Sequence, residues 1–161
     1  MSILSAFVRA SAVLDFNADP AATDTVTIGN QTYAYTATPQ VANDVDVGTT
    51  RDESIENLVA AINGAAGAGS AYDEDTVENP FVTAVADLTA DEVTITAKLP
   101  GTLGNGITVD TSETDILFKD TAVTLEGGVG DLSAGLERFL DEYQLQSDAI
   151  AFVRALTDRV D

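Results

Sequence analysis

Apolar and polar residues alternate on both sides of Gly29-Asn30, in Thr25-Val26-Thr27-Ile28 before it and in Gln31-Thr32-Tyr33-Ala34-Tyr35-Thr36-Ala37 after it. A period of two sends successive side chains to opposite faces of an extended chain. A two-residue link containing Gly is a tight connection between antiparallel strands, so the pair is expected to be a β-hairpin, ended by Pro39. Similar runs recur at Ala12–Phe16, Phe81–Val85, Glu92–Ala97, Ile107–Val109 and Val123–Leu125, with Asn17-Ala18-Asp19-Pro20 as a turn. The link Asp87–Asp91 is short enough for its flanking strands to pair antiparallel. Val45–Gly48 reads as a short strand or extended segment, and Ile116–Phe118 is undecided. Pro100–Gly106 reads as a Gly-rich turn in which Gly101 and Gly104 take positive φ and Asn105 caps backbone groups.

One stretch follows the helical period instead. Thr50 is placed to cap it, with Glu53 three residues on as a capping box requires. Ile55, Leu58, Val59 and Ile62 then fall on one face, acids lie near the positive end of the dipole, and Asn63-Gly64 stops the helix. Residues 64–80 read as a loop. Before the first strand, Ile3, Leu4, Phe7 and Val8 have helical spacing, which suits a short amphipathic helix or docking arm. A cleaved signal is the weaker reading, because no basic residue precedes the apolar run and Arg9 lies inside it.

Gly127-Gly128-Val129-Gly130 marks a change of composition. Beyond it, Leu132, Leu136, Phe139, Leu140 and Tyr143 share one helical face, and Ala149, Phe152, Val153, Leu156 and Val160 share another. The expected fold class is α+β. A mostly antiparallel, sandwich-like β-domain (12–130) carries one covering helix, preceded by an arm (1–11) and followed by a C-terminal helical hairpin (131–161).

Composition removes many kinds of chemistry. The chain has no His and no Cys, so it offers no Ser-His or Cys-His pair, no ordinary zinc site and no haem or iron–sulfur ligation. Seven Lys+Arg against 27 Asp+Glu give a net charge of −20, which argues against direct nucleic-acid binding and against anionic membrane surfaces. The acids are spread: residues 10–50 carry five and residues 52–97 carry ten. That spread points to a solvation property of the whole surface, tuned to high salt or to repelling DNA. No apolar stretch is long enough to span a bilayer as a helix.

The remaining candidates favour plain structural roles. Gly101–Gly106 follows a strand, but a strand and no Lys comes after it, unlike a phosphate loop. Asp73-Glu74-Asp75 with Glu78 could hold Ca²⁺ but lacks the spacing of an EF-hand, and a solvated acidic loop is the default. Tyr33 and Tyr35 share a strand face and suit core or interface packing. No catalytic residue, metal ligand or cofactor is assigned, and the chain is not expected to be an enzyme.

The run from Ala12 to Gly128 resembles a module of tailed-bacteriophage structural proteins. The resemblance rests on "TVTIGNQTYAYTA" (Thr25 to Ala37), "VGTTRDESIENLVAAIN" (Val47 to Asn63), "VTA" (Val82 to Ala84), "VTITAKLPGTLGN" (Val93 to Asn105) and "TLEGG" (Thr124 to Gly128). Similar strings occur in phage tail proteins, including a domain of contractile-tail sheaths, and in small virion structural proteins. The resemblance implies a virion protein acting by assembly with like subunits and with major capsid or tail proteins. A capsid decoration or cement protein is the first expectation. A tail protein (tube, sheath-associated or baseplate) is the second, and a cell-surface adhesive β-domain the third. The expected interface residues are Phe7, Phe139, Tyr143 and Phe152, which lie on apolar faces outside the shared module.

Overall fold

A computed structural model describes residues 8–112 and 114–130 of the chain. The hairpin forms as its alternation requires: β2 (Thr25–Ile28) and β3 (Gln31–Thr36) pair antiparallel, with Ile28 opposite Gln31. Gly29 at the first turn position has φ 62°, and Asn30 does not share it, as in a turn with a single left-handed residue. Val26, Ile28, Tyr33 and Tyr35 all point inward and are buried.

Two four-stranded sheets result. One runs β5 (Val82–Asp87), β6 (Glu92–Pro100), β1 (Arg9–Phe16), β8 (Ile116–Phe118), antiparallel throughout. The other runs β4 (Asp44–Asp46), β3, β2, β7 (Val109–Thr111). The helix α1 (Arg51–Asn63) buries Ile55, Leu58, Ala61 and Ile62 into the core that both sheets share, while Val59 is only partly covered. The class is α+β with mixed sheets and one main helix. The helical pair expected over 131–161 lies outside the described residues.

Several expectations are corrected in detail. β1 begins at Arg9, so Arg9, Ala10 and Ser11 belong to a central strand and not to an arm; Ala10 is fully buried. Ile116–Phe118 is a strand, because Ile116 and Phe118 face inward opposite Phe16 and Leu14. Val123–Leu125 is not one; it contributes a single bridge, Thr124 to Thr108. β4 lies parallel to β3 after only a seven-residue connection, 37–43. Parallel neighbours usually need a longer crossover. Here Asn43 turns the chain at φ 71°, and the Asp44 carboxylate gathers the N–H groups of Gln40 and Val41 at 3.0 and 3.2 Å. The side chain thus supplies the acceptors that a regular element would have given.

The helix ends are close to expectation. The Thr50 hydroxyl accepts from the Glu53 N–H at 3.2 Å. The Glu53 carboxylate, however, returns to the N–H and hydroxyl of Thr49, at 2.8 and 2.7 Å, one residue short of the usual capping-box partner. These donors hold the Glu53 carboxyl below its ordinary pKa. Gly64 closes the helix in the left-handed region, at φ 59°.

The segment after β8 ties the two sheets together. Val109 donates to the Val123 carbonyl and Leu125 to that of Ile107, on the β7 side. Ser11 and Glu126 exchange both backbone hydrogen bonds on the β1 side, as do Val8 and Val129 further on. Leu125, between them, is fully buried. Gly101 takes φ 82° as expected, but Gly104 is not left-handed. Its role is proximity: a Cβ there would lie 2.6 Å from that of Ala97 and 2.9 Å from that of Ala10. Asn105 does cap backbone, holding both the N–H and the carbonyl of Gly128.

Candidate functional site

Buried polar groups are the first place to look for chemistry, and here most hold a turn or a helix end, the Thr36 hydroxyl being buried without a partner among the described residues. Asp24 accepts from the Ala21 N–H at 2.7 Å, and Asp73 from the Asp75 N–H at 3.0 Å. Asn79 accepts from Phe81 and Val82, and Ser54 donates to the carbonyls of Val47 and Thr50. The Tyr35 hydroxyl, buried against α1, donates to the Ser54 carbonyl at 3.1 Å. Burial and the nearby Asp24 charge push its pKa well up. Tyr33 is raised by burial, partly offset by its hydrogen bond with Asn79. Both tyrosines are core residues.

The acidic loop does not converge. Asp73 is committed to its own turn, and Glu78 pairs with Lys98 at 2.5 Å. Among the described residues no three acidic groups gather as a metal would need. A depression of about 230 Å³ between β7 and β8 is lined by Asp110, Thr111, Leu117, Phe118, Thr121 and Ala122. Among the described lining residues Asp110 is the one carboxylate.

The described basic residues are mostly spent on the fold. Arg51 reaches from α1 to Asp91 at 2.7 Å, Asp19 at 3.2 Å and the Phe16 carbonyl, and these acids raise its pKa. Lys119 pairs with Glu92, which raises its pKa too. Arg9 bonds only to the carbonyls of Ala97 and Lys98. No row of free cations exists among the described residues to track a phosphate backbone.

What the fold does present is a face. The strand register of the β5-β6-β1-β8 sheet stacks its outward side chains in rows. Thr83, Thr96 and Ser11 form one row, and Val85, Thr94 and Val13 the next. A third row is acidic: Asp87, Glu92 and Asp15, ending at Leu117 of β8. At the other end the register shifts between Ser11 and Arg9, so that Arg9 lies opposite Pro100 and Lys98 falls within the irregularity. The inward partners Ala12, Leu14, Ala84, Val93 and Ile95 are buried, which fixes this face as the outer one. Its six central positions carry only hydroxyl groups and Val, and Val85 is 66% exposed, in a chain whose net charge is −20.

The edges of the two sheets are largely closed. Asn63 covers β5 at Ala84, Ala71 and Asp73 bond to Asp46 and Asp44 along β4, and the segment 123–125 covers β7. Few unpaired strand-edge groups are therefore left along β4, β5 and β7 among the described residues. The interface residues expected from sequence, Phe7, Phe139, Tyr143 and Phe152, lie outside the described residues. The outer face was not legible beforehand, because it exists only once β1, β5 and β6 are in register. Its one local signal is the Thr94-Ile95-Thr96 alternation. No family model matches the chain, and no curated protein was found to be similar to it.

Proposed function

We propose that this protein is a structural subunit of a tailed-bacteriophage particle, acting by assembly and without catalysis. A decoration or cement protein on the capsid is the preferred position, with like subunits and the major capsid protein as partners. The two sheets sharing one core are read as a sandwich that displays its outer face. The observation that carries the reading is that face: six uncharged outward positions on one sheet of a strongly acidic chain. The module resemblance adds the setting. It is consistent that the distinctive residues of the resembling strings, Thr50, Asn63, Gly64, Lys98, Gly104, Asn105 and Gly128, hold backbone or packing and leave no reacting group exposed.

The tail position is the second reading, favoured by the spread of acidic groups, since a negative lumen lets a genome slide without sticking. Light scattering in low and molar salt, with electron microscopy of the same fractions, tests both. Screening is expected to strengthen assembly. Discrete small oligomers that decorate capsids support the first position, and rings or tubes support the tail. A monomer in all salts that binds no particle overturns the proposal.

A further inference from the structure

On β1, Arg9 and Asp15 mark opposite ends of the outer face, and neither forms an ion pair with a described residue. Between them lie Ser11 and Val13, in the middle rows. On β6 the same order holds: Lys98, then Thr96, Thr94 and Glu92. The face therefore reads basic, hydroxyl, Val, acidic along β1, whose end charges are unpaired among the described residues, whereas those of β6 are already matched, Lys98 by Glu78 and Glu92 by Lys119.

That order is complementary to itself when reversed. A two-fold axis in the plane of the face, perpendicular to the strands and between the Thr96 and Thr94 rows, exchanges the middle rows with each other. It also exchanges the basic end with the acidic end. Two copies related in this way meet with Arg9 opposite Asp15, Ser11 opposite Val13 and Thr83 opposite Val85, while Lys98 and Glu92 keep their partners Glu78 and Lys119 within each copy. An isologous contact of this kind makes every favourable pair twice. The reverse alignment, acid row on acid row, is excluded by repulsion between like charges. Sheets stacked face to face accommodate their twist at about 30° between strand directions.

We infer that the outer face of the β5-β6-β1-β8 sheet is a two-fold contact between copies of this chain, with Arg9 of one copy meeting Asp15 of the other. The inference rests on the assembly reading above and names its surface. The twelve outward positions, about 4.8 Å apart across the strands and about 6.8 Å apart along them, cover roughly 400 Å² per copy. Both copies together bury roughly 800 Å², below the roughly 1,200–2,000 Å² of a stable free complex. The contact is accordingly weak between free molecules and becomes populated where copies are held close together, as in a particle lattice.

The native chain has no Cys, so each introduced thiol is unique. Thr94→Cys sits at the centre of the face, and Glu56→Cys on the exposed side of α1 serves as control. Treated with a short bis-maleimide, full-length Thr94→Cys is expected to give several-fold more covalent dimer than Glu56→Cys. Adding Asp15→Arg should reduce that yield to the control level, and adding Arg9→Asp as well should restore it. Because Arg9 also holds two carbonyls, circular dichroism verifies the fold of the double variant. Thr94→Arg, which buries a charge at the contact but is solvated in the monomer, should abolish dimerisation detected by sedimentation at high concentration. Equal yields at Thr94 and Glu56, or indifference to Asp15→Arg, overturn the inference. Microscopy that still finds the chain in particles under those results would leave the assembly reading intact and remove only this surface.

Discussion

The side-chain amide of Asn63, the last residue of α1, accepts from the Ala84 N–H at 2.9 Å and donates to the Ala84 carbonyl at 2.8 Å. It occupies the place a neighbouring strand would take along the open edge of β5. Edges left bare template pairing with other chains. A helix C-terminus thus doubles as an edge cover, and the contact also fixes how α1 lies on the sheet.

Asn63→Ala removes both bonds and leaves the two backbone groups of Ala84 without that partner. The expected cost is about 1–3 kcal/mol, read as a lower urea midpoint with an unchanged slope. Asn63→Asp keeps the acceptor but sets a carboxylate against the Ala84 carbonyl, and should cost more. Both variants are expected to aggregate faster on warming, followed by light scattering. A midpoint equal to the parent's would mean the clasp is dispensable.

Gly104 serves packing and not backbone freedom. Gly104→Ala forces a Cβ against Ala10 and Ala97, an overpacking expected to cost about 1–3 kcal/mol. Ala97→Gly opens the space, so the double variant should be more stable than the sum of the two singles predicts. Additivity in denaturant melts would place the cost elsewhere.

Tyr35 ties stability to alkaline pH. Its folded-state pKa is raised by burial above the ordinary value of 10.0. The unfolded chain therefore releases that proton first. The contribution is complete below pH 10 and is lost as pH rises toward the folded value. Stability should fall between neutral pH and strongly alkaline pH, with late tyrosinate absorbance in the folded protein. Tyr35→Phe, which forgoes the bond to Ser54, should be less stable at neutral pH and show a shallower alkaline decline. A parallel decline in both proteins would assign it to other groups.

Net charge sets the response to salt. With 27 acids against seven bases, repulsion within the fold outweighs its few ion pairs. Raising salt shortens the screening length from about 30 Å at 0.01 M to about 3 Å at 1 M. The Tm should rise over that range. A fall would show that the Arg51, Lys98 and Lys119 pairs dominate the electrostatics of stability.

The elements with local causes were readable from sequence. The β2–β3 hairpin follows from alternation around Gly29-Asn30, and α1 from Thr50, its apolar face and Gly64. β5 and β6 pair across a short link, as their spacing requires. The start of β1 was not readable, because Arg9-Ala10-Ser11 carries little apolar signal and is extended only between β6 and the backbone of residues 126–129. The reason for Gly104 was equally hidden: the atoms that crowd it belong to Ala10 and Ala97, distant in sequence.

The sequence alone determined the hydrophobic period and the helix caps, which depend on residues within a turn or two of one another, and the charge and the absence of His and Cys, which are sums over the chain and independent of its fold. Only the tertiary structure decided which strands are neighbours, that β4 runs parallel to β3, that Asn63 closes the β5 edge, and that Arg9 and Asp15 end one uncharged face. These are long-range registers. A shift of one residue would turn every outward Thr and Val inward, so the choice lies with the packing of the whole core and not with any single strand.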